Sequence, residues 1–211
     1  NRAPPKTQTA LLEAMQEYQV TVGNKTYPLE KPFLVLATQN PIELEGTYPL
    51  PEAQLDRFMM SIYLDYPCIE DEKKIAEFQM FDVMSEISPL LNAEGIIQFQ
   101  HIIRSIPVSD FVINYAVNLV RNTRPNNGKC PEFIKEYVNW GAGPRATQYL
   151  ILGAKTKAAL RGDVNVSVSD IKSIAESILR HRIFTNFTAD ADGIDSGKIV
   201  NKLLEKIPES V

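Results

Sequence analysis

The sequence predicts an α/β segment followed by an all-helical domain. The run FLVLA at 33–37 is continuously apolar and β-prone, which is typical of a strand covered on both faces in a parallel sheet. A second strand is predicted at 59–66, and from about residue 69 onward one helical pattern follows another. We therefore predict two domains, at 1–67 and 68–211, with the boundary near Pro67.

The α/β segment begins with a helix and a hairpin. Apolar residues at helical spacing predict a helix at 6–17. The pattern at 18–30 alternates and turns at a Gly-Asn-Lys sequence, which predicts a short hairpin whose second strand, with Pro28, lies at an edge. After the strand at 33–37 comes a proline-rich loop and a short helix at 52–58.

The second domain is predicted to contain only helices. Ser167 with Asp170 has the spacing of a helix N-cap and its acidic partner, and Gly162 is well placed to end the preceding helix. The predicted helices span 70–84, 92–104, 109–122, 131–140, 144–161, 168–182 and 196–207.

Composition and charge exclude several classes of function. The chain of 211 residues is 44% hydrophobic and carries a net charge of −4, which opposes a bulk affinity for nucleic acid or an anionic membrane. The sequence has no run of 18 apolar residues, so no membrane-spanning helix is predicted. Cys68 and Cys130 form no CxxC pair, so we expect no zinc site and a reducing, cytoplasmic setting. We interpret His101 and His181 as structural or surface residues, since neither belongs to a ligand cluster.

Asn40 follows the strand predicted at 33–37. Open α/β sheets bind ligands at the carboxyl ends of their strands, where an amide can orient water or contact phosphate. Asn-Pro also favours a turn by itself, so this segment alone leaves both interpretations open.

Two arginines have a similar ambiguity. Arg57 ends the short helix at 52–58, from where it can reach a phosphate across an interface, or pair with Asp56 or Glu52. Arg145 falls in the first turn of a helix, where the helix dipole disfavours a cation by about 0.3 to 1 kcal/mol. A nearby anion would offset that cost, and it can be a phosphate or a carboxylate such as that of Glu132 or Glu136.

The phosphate-cradling motif GxxxxGK[ST] does not occur in the sequence. The most similar segment, at 193–199, has three residues between its glycines rather than four, lacks Ser or Thr after the lysine and follows no convincing strand. No GxSxG or Cys/His catalytic pattern is present either. The sequence therefore contains no complete active site by itself.

Read in order, the motifs resemble one family. NRAPPKTQ at 1–8 with the helix after it, LATQNP at 36–41 and GTYPLPEAQLDRF at 46–58 are similar to segments of MoxR-type AAA+ ATPases, of the magnesium-chelatase-like branch. GPRA at 143–146 and SVSDIKSIAESILRHRI at 167–183 resemble the sensor-2 motif and the end of the family's helical lid. The hairpin lies where that branch has an insertion before sensor 1.

The resemblance implies a fold and a set of residue roles. It implies the second part of an α/β P-loop core, a parallel sheet with a short hairpin insertion, followed by a helical lid. It identifies Asn40 as the sensor-1 amide, Arg57 as the arginine finger and Arg145 as the sensor-2 arginine. In the family the first segment follows Asp-Glu-Ile, so Walker A and the Walker B acids would lie upstream of Asn1.

The resemblance also implies an activity and partners. The complete protein would be an ATPase that uses ATP and Mg²⁺ in a homo-oligomeric ring, expected to be hexameric. It would have a chaperone-like remodelling or metal-insertion role on a protein substrate or a von Willebrand A-type partner, without nucleic acid or membrane. The alternative is a non-enzymatic interaction module that lacks a P-loop.

Overall fold

The computed structural model describes residues 2–40, 46–77 and 88–209. Within these ranges ten α-helices, two pairs of short strands and one 3₁₀ turn are formed. The α-helices are α1 (Pro5–Glu17), α2 (Glu52–Leu55), α3 (Ile69–Glu77), α4 (Ala93–Ser105), α5 (Asp110–Asn122), α6 (Glu132–Tyr137), α7 (Pro144–Arg161), α8 (Val168–Leu179), α9 (Phe187–Ala191) and α10 (Ser196–Lys206). The strands are β1 (Gln19–Val22), β2 (Lys25–Pro28), β3 (Val138–Trp140) and β4 (Phe184–Thr185), and the 3₁₀ turn is Arg180–Arg182.

The predicted first helix and hairpin are confirmed. Pro5 occupies the first helical position of α1, which suits its fixed φ, and Tyr18 ends the helix in the left-handed conformation. Strands β1 and β2 pair antiparallel from Gln19 opposite Pro28 to Val22 opposite Lys25. The hairpin is thus closed by a turn at Gly23, whose φ of +61° favours glycine.

The two predicted parallel strands are not formed. Residues 33–37 and 59–66 belong to no sheet, and both sheets of the described residues are antiparallel pairs. A parallel strand needs a hydrogen-bonded neighbour, and the described residues supply none for these segments. Most of their apolar side chains are exposed, with Leu36 at 87% and Leu64 at 88% relative exposure.

The hydrophobic core lies in the helical domain. Among the described residues, Leu12 and Ala14 are the only buried hydrophobic residues before Val112. The core is built from α5, α6, α7, α8 and α10, and its fully buried side chains include Leu119, Leu150 and Ile178. The helical domain therefore supplies the rigid part of the structure to which the segments around residue 57 are attached.

Local signals in the sequence predicted the ends of two central helices correctly. Helix α7 spans 144–161 as predicted, and Gly162 ends it with a φ of +81°. Ser167 and Asp170 form the expected capping box at the start of α8. Asp170 also accepts from Arg161, so the end of one helix is ionically linked to the start of the next.

Several predicted boundaries are wrong. Helix α2 ends at Leu55, and the chain continues as a turn through Arg57. The helix predicted at 131–140 ends at Tyr137, because Val138 to Trp140 form β3 and pair with β4. Helix α9 and both of these strands were not predicted. The helix predicted at 70–84 is observed up to Glu77, and its remainder lies outside the described residues.

No helix within the described ranges is long and apolar enough to cross a membrane.

Gly141 allows two backbone segments to approach closely before α7. A Cβ atom added there would lie 2.3 Å from the Thr123 carbonyl oxygen and 2.8 Å from the Arg124 Cα. Both are backbone atoms, so relief requires the segment that leads into α7 to shift.

We therefore expect Gly141→Ala to lower the free energy of unfolding by about 2 kcal/mol or more. Gly143→Ala is the matched control, because an added Cβ there would meet nothing within 4 Å and the cost is about 0.5 kcal/mol. Urea denaturation followed by circular dichroism measures both. Equal losses in the two variants would contradict the role of the close approach.

Candidate functional site

Asp56 lies at the centre of an ionic cluster that joins the turn after α2 to the helical domain. Its Oδ2 accepts a hydrogen bond from Arg145 Nη1 at 2.7 Å, and its Oδ1 accepts from Arg182 Nε at 2.9 Å. The two arginines come from α7 and from the 3₁₀ turn after α8. One carboxylate therefore binds two cations that are distant from it in sequence.

Arg182 is the buried member of this cluster, since its side chain is only 1% exposed. Its guanidinium donates to the carbonyl oxygens of Asp56, Phe58, Met59 and Ile178. Burial lowers the pKa of Arg182, and Asp56 opposes that shift. Because an arginine stays charged in proteins, these contacts compensate a buried cation.

Further contacts fix the same turn to the helical domain. The Tyr149 hydroxyl donates to the Arg57 carbonyl at 3.1 Å, and the Tyr149 ring lies 5.1 Å from the Arg182 guanidinium carbon. The Ser61 N–H donates to the Ser177 carbonyl at 2.8 Å. Residues 56–61 are thus attached to α7 and α8 at both ends.

Arg57 is held by its backbone, whereas its side chain takes part in no ion pair with the described residues. Asp56, one of its two predicted carboxylate partners, is bound to Arg145 and Arg182. Glu52, the other, forms no salt bridge with Arg57. The half-buried Arg57 side chain therefore retains its charge for an anion other than these two carboxylates.

Arg145 occupies the first turn of α7, as predicted. The carboxylate that offsets the helix dipole belongs to Asp56, whereas Glu132 pairs with Lys135. Arg145 is 40% exposed and uses one of its five N–H donors in the bond to Asp56. Its other donors can still bind a second anion.

Asn40 lies outside this cluster. It ends the described segment 31–40, which has no regular secondary structure, and its side chain is exposed. Asp56 makes no hydrogen bond with Asn40. The structure thus brings Arg57 and Arg145 to one turn, where the side chain of Asp56 is bound by Arg145 and Arg182.

Comparisons with known proteins agree with these motifs. Residues 1–60 match the family described as ATPases associated with various cellular activities, and residues 132–203 match the AAA lid domain. Chaperone MoxR1 of Mycobacterium tuberculosis is 39% identical over 98% of the chain. The chain belongs to the MoxR-type AAA+ ATPases.

Two other relatives extend the comparison. The uncharacterized protein YeaC of Bacillus subtilis is 36% identical over 98% of the chain. A crystal structure of a candidate ATPase from Cytophaga hutchinsonii is 40% identical over 99% of the chain, with a TM-score of 0.89, which confirms the partial α/β core and helical lid. The chain spans 55% of MoxR1, 62% of YeaC and 63% of the crystal structure's chain.

Sequence reasoning missed the residues that surround Arg57 and Arg145. Asp56 was considered only as a partner of Arg57, and Tyr149 and Arg182 were not considered. A signal for Arg182 was present, because it follows Ile171, Ala175 and Ile178 at helical spacing on the apolar face of α8. An arginine in such a row needs a buried anion, which predicts an acidic partner.

His181 lies beside this cluster in the lid. Its Nε2 is 3.1 Å from the Phe58 carbonyl oxygen, and its buried Nδ1 has no hydrogen-bond partner among the described residues. Burial, together with Arg182, lowers the pKa of His181 to about 4. The imidazole is therefore neutral in the folded protein at neutral pH, which agrees with a structural role.

We expect this histidine to make folding acid-sensitive. The unfolded chain takes up a proton near pH 6.5 and the folded chain only near pH 4, so stability falls as the pH decreases between these values, by about 3 kcal/mol. His181→Gln should remove that part of the pH dependence, measured as urea midpoints from pH 7.5 to 4. Asp170 titrates lower, because Arg161 lowers its pKa to about 2, so Asp170→Asn is the control. Identical slopes for His181→Gln and the wild type would contradict the assignment.

Proposed function

We propose that the protein containing this chain hydrolyses ATP in a homo-oligomeric ring, expected to be hexameric. Arg145 binds the phosphates of its own subunit's ATP, Arg57 reaches the ATP of the neighbouring subunit, and Asn40 positions the attacking water. One observation carries the proposal: Asp56 and Tyr149 hold two arginines at one turn, while the Arg57 side chain has no carboxylate partner among the described residues.

The charges of the two arginines suit a polyphosphate. Guanidinium N–H groups match phosphate oxygens in geometry, and Arg145 has donors that Asp56 does not use. Arg57 lies on the turn itself and Arg145 on α7, so the two side chains project from different elements. This supports a division in which each arginine serves a different nucleotide.

Magnesium fits these residues less well. The described part of the chain contains no group of three or more His, Cys, Asp or Glu side chains arranged to hold a metal ion. Mg²⁺ prefers carboxylate and phosphate oxygens, and the family resemblance assigns the relevant acids to the segment before Asn1. When bound with ATP, Mg²⁺ would neutralise phosphate charge, and the chain's own contribution is the two arginines and Asn40.

Placing the two arginines on different subunits' nucleotides would couple hydrolysis to assembly. A positioned arginine neutralises the charge that develops on the transferred phosphoryl group, and it can contribute on the order of 10³ to 10⁵ in rate. If the neighbour supplies that arginine, an isolated subunit hydrolyses slowly and the ring hydrolyses fast. Lid rotation then changes both contacts together.

The output that we propose is mechanical work on a partner protein. The relative MoxR1 is named a chaperone, which supports a chaperone-like remodelling role, and the location that we propose for it is the cytoplasm. Metal insertion with a von Willebrand A-type partner is the form of this role that the magnesium-chelatase-like hairpin favours. Hydrolysis would drive the lid, and the lid would move the bound protein.

A second candidate is a non-enzymatic interaction module. The exposed apolar side chains at 33–37 and 59–66 favour it, because surfaces of this kind often bind another protein. The residues before Asn1 in the complete protein decide between the two. A GxxxxGK[ST] motif followed by Asp-Glu-Ile supports the ATPase, and their absence supports the module.

Arg57→Ala should remove ATP hydrolysis by the full-length protein. We expect kcat to fall by about 10³-fold, while the KM for ATP changes little because each subunit keeps its own phosphate contacts. Steady-state ATPase assays on rings confirmed by light scattering measure this. Arg104→Ala is the control, since Arg104 is an exposed arginine on α4. Full activity of Arg57→Ala in the assembled ring would disprove the finger role.

Arg145→Ala should weaken nucleotide binding instead. Loss of one charge-assisted contact to phosphate predicts a rise in the Kd for ATP of about tenfold. Titration with a fluorescent ATP analogue measures this in the full-length protein. A Kd equal to that of the wild type would show that Arg145 does not bind the nucleotide.

A further inference from the structure

We propose that Asp56 is a positioning residue that couples the phosphate-binding Arg145 to the finger Arg57. The inference rests on the two arginine roles proposed above and adds a residue that connects them. Its basis is the observed geometry: Asp56 precedes Arg57 in the chain and accepts a hydrogen bond from Arg145 at 2.7 Å. Arg145, which would bind the nucleotide of its own subunit, is thus hydrogen-bonded to the turn that carries Arg57, which would act on the nucleotide of the neighbouring subunit.

The two oxygens of Asp56 have different partners and different consequences. Oδ1 accepts from the buried Arg182, which also donates to the backbone carbonyls of Asp56, Phe58 and Met59. These bonds hold the turn in place whether or not Arg145 is bound. Among the described residues, Oδ2 accepts from the partly exposed Arg145 alone, so this bond can respond to a phosphate.

Helix α7 makes a second contact with the turn at residues 56–59, which we call the finger turn because it carries Arg57. This contact comes from a residue four positions after Arg145. Tyr149 lies four residues after Arg145, on the same face of α7, and its hydroxyl donates to the Arg57 carbonyl at 3.1 Å. Arg145 and Tyr149 therefore bind adjacent residues, one through a side chain and one through the backbone. A shift of α7 would move Arg57 directly.

These contacts give the coupling a physical form. A phosphate that attracts Arg145 changes the charge balance at Asp56 and pulls on the first turn of α7. Because Asp56 and Tyr149 connect that turn to Arg57, the finger's position depends on the nucleotide bound through Arg145. The lid and the finger turn then respond as one body rather than as two.

Asp56→Asn removes the charge that attracts Arg145, and its urea midpoint measures separately the cost of leaving the buried Arg182 without an anion. The asparagine oxygen can still accept from Arg182, whereas the amide that replaces Oδ2 no longer attracts Arg145. In the full-length ring we expect kcat to fall and the Kd for a fluorescent ATP analogue to rise, each by about tenfold, as expected for the loss of one charged hydrogen bond. Asp56→Glu, which keeps both oxygens, should recover part of each loss.

Double-variant cycles test whether Asp56 acts through the two arginines. In the Arg57→Ala background, Asp56→Asn should lower kcat no further, and in the Arg145→Ala background it should raise the Kd no further. Asp170→Asn is the matched control, because Asp170 also pairs with an arginine but lies at the start of α8. It should lower the urea midpoint and leave kcat and Kd within about twofold.

Each outcome supports or overturns the proposal. The coupling is wrong if Asp56→Asn lowers kcat in the Arg57→Ala background, and raises the Kd in the Arg145→Ala background, by as much as it does in the wild type. It is also wrong if Asp170→Asn changes kcat and Kd as much as Asp56→Asn does. If Arg57→Ala and Arg145→Ala themselves match the wild type, the proposed function is wrong and the coupling falls with it. If the Asp56→Asn variant does not assemble into a ring, Tyr149→Phe replaces it as the test, because it removes only the hydroxyl that donates to the Arg57 carbonyl. A severalfold lower kcat of Tyr149→Phe supports the coupling, and an unchanged kcat overturns it.

Discussion

The burial of one cation, Arg182, determines how the rest of the site is built. A guanidinium that is 1% exposed is costly to remove from water, and leaving it without an anion would cost several kcal/mol more. Asp56 supplies the charge, and the backbone carbonyls of Asp56, Phe58, Met59 and Ile178 accept further hydrogen bonds from the guanidinium. The turn that carries Arg57 is therefore a required partner of the lid rather than a loop that happens to touch it.

The lid core explains why this cation is so precisely placed. Ile171, Ala175 and Ile178 pack against the other core helices, and Arg182 continues their row past the end of α8. Helix α7, which lies against α8, brings Arg145 and Tyr149 into hydrogen bonds with Asp56 and Arg57 of the same turn. Apolar packing thus sets the positions of the polar groups, although neither Arg57 nor Arg145 belongs to the core itself.

What the sequence predicted, and what it did not, follows from the range of the interactions. The bounds of α7 and the capping box at Ser167 depend on neighbours within a few residues, so a single sequence reveals them. The bond between Asp56 and Arg182 joins residues 126 positions apart, so the local pattern before Arg182 indicates an acidic partner but not which residue supplies it. The strand predicted at 33–37 is not formed, although its run of apolar residues is typical of a buried strand. A strand also needs a hydrogen-bonded neighbour, which the described residues do not provide.

The backbone hydrogen bond from Ser61 to Ser177 makes it possible to measure how often the segment after Arg57 separates from the helical domain. The Ser61 amide proton is protected only while the segment after Arg57 remains against α8, since its acceptor belongs to that helix. Its rate of hydrogen–deuterium exchange therefore measures how often the two separate, as a local opening free energy distinct from global unfolding. In the proposed ring during ATP hydrolysis, slow exchange of the Ser61 amide would show that the helical domain and the segment after Arg57 move together. Fast exchange would show that they separate in each cycle.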